Sequence, residues 1–115
     1  MKHEIKKISR IVDELTTLFL KEDTNEVDFS IKILPEQTRI TISAHATHFT
    51  EADVEQLKNI LGAQRQYEVE EYYWQLAGEC DDIDHELTLV GAMVDEATVE
   101  IKEGSLFIEL IRYTK

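Results

Sequence analysis

"RITISAHATHFTEADVEQL", residues 39–57, changes its period halfway along. Ile40 and Ile42 alternate with polar neighbours, as the side chains of a half-buried strand do. From Thr50 the spacing lengthens, and Val54, Leu57, Ile60 and Leu61 share one side of a helix. Thr50 is placed to cap that helix, with Asp53 three residues on where a capping box usually has Glu. Gly62 marks a plausible stop. Between strand and helix lies a loop with two alanines and two histidines, Ala44, His45, Ala46 and His48. A strand running through such a loop into a helix start is a common frame for a ligand site.

Upstream, residues 26–34, "EVDFSIKIL", put Val27, Phe29, Ile31 and Ile33 on one side and Asp28, Ser30 and Lys32 on the other. With "PEQT" and Pro35 at the corner, this strand and the next make a hairpin. Residues 3–21 place Ile5, Ile8, Val12, Leu15 and Phe19 at steps of three and four, widened by Ile11 and Leu18. That pattern predicts an amphipathic helix with one broad buried face. Downstream, "QRQYEVEEYYWQLAG" (64–78) reads as a further helix, and "HELTLVGAMVDEA" (85–97) as the last one, through Leu87, Val90, Met93, Val94 and Ala97. Two short strands, "TVEIK" and "SLFIELIRY", follow and turn at Glu103-Gly104.

The expected order is helix, strand, strand, three helices, strand, strand. This makes one α+β domain spanning residues 1–115, a two-layer α/β sandwich with a small antiparallel or mixed sheet and its helices on one face. The sheet's other face must be partly polar or covered by another chain.

Charge narrows the function classes. With 12 basic and 24 acidic residues the net charge is −12, the wrong sign for phosphate-backbone binding, so no nucleic-acid partner is expected. Between Gln66 and Ile101 there is no Lys or Arg against eleven Asp or Glu, an acidic solvated face or a surface for a basic partner. No apolar run approaches the roughly 20 residues of a membrane span. "MKHEIKKISR" lacks a signal-peptide core, and the lone Cys80 has no partner for an internal disulfide. A cytoplasmic chain that leaves membranes alone is the expectation.

The order of elements, with the opening loop, resembles the histidine-kinase-like ATPase (GHKL) superfamily, the group of gyrase, sensor histidine kinases and the small bacterial anti-sigma-factor kinases. In that family the first helix carries a Glu that activates water or substrate and an Asn that binds Mg²⁺; here Glu14 matches the first and Leu18 stands at the second. The family's "DxGxG" begins with an Asp that binds adenine; here Ala44 stands at the Asp, and Ala46 and His48 at the glycines. A second glycine box should wrap the phosphates before the last helix, where this chain has Asp81, Asp82, Asp84, Glu86 and Thr88. The chain also starts almost at the first helix, without the strand and helix that usually precede it in the family.

These departures matter chemically. Ala44 offers no acceptor to adenine, Leu18 no oxygen to a hard cation, and the acidic segment repels a triphosphate. The resemblance therefore implies the fold without the nucleotide: a non-catalytic regulatory or interaction module, with no cofactor, acting on a protein partner or as a homodimer. The remodelled pocket would comprise Glu14, Leu18, Ala44, His45, Ala46, His48, Asp82 and His85. Two alternatives remain. One is a small-ligand or metal-binding protein, in which His45 and His48 join Cys80, Asp82 or His85, although no CxxC or HExxH spacing is present. The other is an active anti-sigma-type serine kinase. Glu14 as a general base, expected on the polar side of its helix beside Leu15, would have nothing to activate without nucleotide, and the acidic neighbours of Cys80 raise a thiol's pKa. "YEVEEYYWQ", with Tyr67, Tyr72, Tyr73 and Trp74, is either an interface or packing over the vacated pocket.

Overall fold

The computed structural model describes residues 3–21, 24–45, 49–62, 65–66 and 90–113. They form, in chain order, α1 (Glu4–Lys21), β1 (Glu26–Ile33), β2 (Gln37–His45), α2 (Glu51–Leu61), β3 (Glu96–Lys102) and β4 (Ser105–Tyr113). The strands make one sheet in the order β1-β2-β4-β3, with every neighbouring pair antiparallel. The described part is thus a small α+β domain, as the sequence periods require. None of its helices is long and apolar enough to cross a membrane.

Period two sorts the two faces of the central strands. Ile40, Ile42 and Ala44 of β2 and Leu106, Ile108 and Leu110 of β4 are buried, and they join Val99 with Ile8, Ile11, Leu15, Leu18 and Phe19 of α1 and Val54, Leu57 and Leu61 of α2 in one core. Four rows cross the other face, led by Glu26–His45–Ser105–Lys102 and Asp28–Ser43–Phe107–Glu100. It is the mostly polar face that a single layer of helices leaves behind.

Local chemistry sets the boundaries. At α2, Thr50 Oγ1 accepts from Asp53 N (3.2 Å) and Thr50 N donates to Asp53 Oδ2 (2.9 Å), a complete capping box. The β1–β2 hairpin closes with Leu34 N donating to Gln37 O. At the β3–β4 turn Glu103 (φ 49°) and Gly104 (φ 80°) both take positive φ, the two-residue geometry that matches strand twist.

Three expectations need correcting. Ile5 is not in the buried stripe of α1: it is 78% exposed, and the buried arc instead runs through Lys7, Ile8, Ile11, Glu14, Leu15, Leu18 and Phe19. Glu4 is tied to Arg112, which fixes the rotation of the first turn and turns the next residue outward. The helix expected to reach Ala97 stops at Gly91, and Ala97 lies in β3 opposite Leu110. Val90, Ala92, Met93 and Val94 are all buried, so that apolar run is a buried connection whose density imitates a helical stripe. Arg65 and Gln66, expected inside a helix, lie outside helix, with Gln66 N donating to Ala92 O. The rest of 67–89 lies outside the described residues.

Candidate functional site

The end of β2 sends its side chains two ways. Ala44 points inward and has no exposed surface; its row is Val27–Ala44–Leu106–Ile101. Leu18 is buried at 4% in the same core cluster. Phe49, just past the loop, stacks edge-on against Phe19 with centroids 5.7 Å apart and packs on that cluster. Glu14, which sequence spacing suggested was on the polar side of its helix, is 3% exposed, one turn before Leu18 on the buried arc. The structure therefore gathers Glu14, Leu18 and Ala44 on the interior side of the sheet. Ala46, His48, Asp82, His85, Cys80, Tyr67, Tyr72, Tyr73 and Trp74 lie outside the described residues.

His45 points the other way, onto the open face. Its Nε2 is 3.2 Å from Asp28 Oδ2, and its Nδ1 is 3.2 Å from Ser105 Oγ. Glu26 is its direct partner across the β1–β2 ladder, and one donor atom from each of Glu26, Asp28 and His45 falls within 4.8 Å of the others. Two arrangements satisfy the ring. If Ser105 donates its hydroxyl proton to Nδ1, then Nε2–H donates to Asp28 and the imidazole is complete. If Nδ1–H donates to Ser105, the Nε2 lone pair faces a carboxylate, and a proton or cation must lie between them. Zinc ligands at about 2.0–2.1 Å in tetrahedral geometry stand roughly 3.3 Å apart, so the 3.2 Å separation fits a shared ion as well as a hydrogen bond. Glu26 and Asp28 are both exposed, so water competes for every position.

The sequence reading grouped His45 with His48 and with Cys80, Asp82 or His85, and missed Glu26 and Asp28. The signal was there: with Ile33 opposite Thr38 across a short turn, counting back seven pairs sets Glu26 against His45, with Asp28 two pairs away on the same face.

Elsewhere on the sheet, an open depression of about 410 Å³ lies over Phe107 between Thr41, Thr98, Glu100 and Glu109. Another of about 370 Å³ separates α2 from β3. Both are open surface hollows with charged rims, unlike the enclosed apolar clefts that hold most small ligands.

No known family model, no curated protein and no solved structure matches the chain.

Proposed function

We propose that this chain is a non-catalytic protein-interaction module built on the frame of a histidine-kinase-like ATPase domain, acting on a protein partner or as a homodimer. The observation that carries the reading is the burial of Ala44 and Leu18, at 0% and 4% exposure, within the apolar core. These are the positions at which a working member of that family would hold adenine and Mg²⁺. An alanine and a leucine packed inside offer neither an acceptor nor an oxygen ligand. The order of helix, hairpin, capped helix and closing hairpin supports the frame. Isothermal titration of the full chain with ATP and Mg²⁺ tests the reading: no heat of binding is expected, and micromolar binding would overturn it.

A second reading rests on the Glu26–Asp28–His45 group: a transition metal held weakly on the sheet's open face. Zinc titration followed by the imidazole NMR signals of His45 separates the two. A stoichiometric shift, lost in Asp28→Asn, favours the metal, and unchanged signals leave the ring as a hydrogen-bonded link between β1 and β4.

A further inference from the structure

The edges of the sheet are unlike each other. β3 is covered on its core side by α2, and its central Val99 is 1% exposed. β1 is an unbroken edge strand, paired residue for residue with β2 from Glu26–His45 to Ile33–Thr38 with no bulge. Among the described residues nothing pairs with its outer side. Ile31 is 46% exposed and Ile33 70%, because a strand flanked on one side only leaves its apolar row half-covered. The phase of the ladder is fixed by Leu34 N donating to Gln37 O at 2.8 Å, which continues the same register. Bonded and non-bonded pairs alternate along an antiparallel ladder. The even-numbered residues of β1 therefore bond to β2, and Val27, Phe29, Ile31 and Ile33 present their N–H and C=O groups outward. Long edges of this kind are templates for another strand.

We infer that β1 pairs antiparallel with β1 of a second copy of this chain, joining two four-stranded sheets into one of eight. The inference rests on the interaction-module reading and names its partner. The strand's charges select that occupant and register. A two-fold axis at Ser30 puts Val27 opposite the partner's Ile33 and Phe29 opposite the partner's Ile31. All four outward-facing residues then exchange backbone bonds, and one apolar row continues across both sheets. On the polar face the same axis sets Asp28 opposite the partner's Lys32, and Lys32 opposite the partner's Asp28. Parallel pairing would instead oppose like charges, which destabilises a strand pair. A two-residue slip that sets Lys32 against the partner's Glu26 leaves Ile33 facing the partner's Asn25, outside the strand. Ser30 meets the partner's Ser30 in a non-bonded pair, where Cα atoms approach to about 4.5 Å, within the span a disulfide bridges.

The test uses the full chain in two assays. In a Cys80→Ser background, Ser30→Cys should cross-link readily under mild oxidation, and Thr98→Cys on the opposite edge should not. In sedimentation equilibrium the wild type should show a monomer–dimer equilibrium. Ile33→Glu and Lys32→Asp should each weaken it by roughly tenfold or more, and Asp28→Lys with Lys32→Asp should restore it to within about threefold. Ile33 is largely exposed, so its variant should keep the wild-type circular dichroism. A wild type that stays monomeric, a Ser30→Cys variant that cross-links no faster than Thr98→Cys, or a charge swap that fails to rescue would each overturn the pairing. Nucleotide titration of the same samples keeps the outcomes apart. ATP binding sinks the interaction-module reading, whereas a monomer that binds no ATP sinks only the β1 pairing.

Discussion

Arg112 and Glu4, 108 residues apart in the chain, form a two-pronged ion pair: Nε to Oε2 at 2.9 Å and Nη2 to Oε1 at 2.7 Å. Arg112 lies on the core face of β4, where the alternation calls for an apolar residue, and it has no exposed surface. Its Nη1 also donates to the carbonyl of Met93. One guanidinium therefore fastens the first turn of α1 and the 90–94 connection to the end of the sheet. Planar, multiply bonded burial of this kind suits arginine and would not suit lysine.

The two partners differ in what they lose. Glu4 retains 13% side-chain exposure while Arg112 has none. Glu4→Ala would remove both carboxylate hydrogen bonds from a fully buried guanidinium, so a loss of about 3–5 kcal/mol is expected in urea unfolding. Arg112→Met leaves a carboxylate able to turn to water and should cost less, about 1–3 kcal/mol. The double variant Glu4→Leu with Arg112→Met should recover much of the loss, because an apolar pair of similar volume often matches a buried ion pair. Equal losses in the two single variants, with no recovery in the double, would count against this asymmetry.

The same end of the molecule marks where sequence reading stops. Periodicity alone gave β1, β2, β4, α2 and its cap, because each is a local pattern with a local terminator. It could not place Ile5, whose orientation is set by a contact to residue 112, nor the end of the helix at Gly91. There Asp95 N bonds Ile111 O, and Asp95 Oδ2 takes Tyr113 N and Arg65 Nη1, both at 2.6 Å. Those partners draw residues 95 and 96 into the sheet whatever their local pattern. Of the candidate site, the apolar character of Ala44 and Leu18 was legible, and the structure buries both. The Asp28–His45 contact was hidden only because register was not counted through the turn.

Two glycines should respond to alanine for different reasons. A Cβ on Gly91 would stand 2.3 Å from Ile60 O, a backbone atom of α2 that cannot swing aside. Overpacking of this sort costs about 1–3 kcal/mol, and the shift should appear in the amide signals of Ile60 and Leu61. Gly104 has nothing within 4 Å of an added Cβ, but its φ is +80°. Gly104→Ala should therefore cost only the left-handed backbone penalty, about 1–2 kcal/mol, with no change at α2. Similar effects at α2 from both variants would contradict the distinction.

The capping box gives a smaller effect. Thr50→Ala removes the side-chain acceptor of Asp53 N and should cost about 1 kcal/mol, read as a lower urea midpoint with an unchanged slope. Thr50→Ser keeps the hydroxyl that accepts from Asp53 N and donates to Asp53 Oδ2 at 3.1 Å, so it should stay within a few tenths of a kcal/mol of wild type. If Thr50→Ser fell as far as Thr50→Ala, the cap would owe its strength to something other than that hydroxyl.

Ala44→Asp bears most directly on function. If position 44 faced an open nucleotide pocket, an acid there would supply a base-binding group and cost little. In this structure Ala44 sits fully buried between Val27 and Leu106. An aspartate there is an uncompensated charge in the core, expected to cost about 3–5 kcal/mol. Ala44→Val, which keeps the site apolar while adding volume, should be the milder change. Calorimetry and urea unfolding on both variants separate the alternatives. A destabilised Ala44→Asp protein with no heat from ATP and Mg²⁺ fits a filled site. A stable variant that binds ATP would mean that position 44 still faces a nucleotide-sized space, and the interaction-module reading would fall with it.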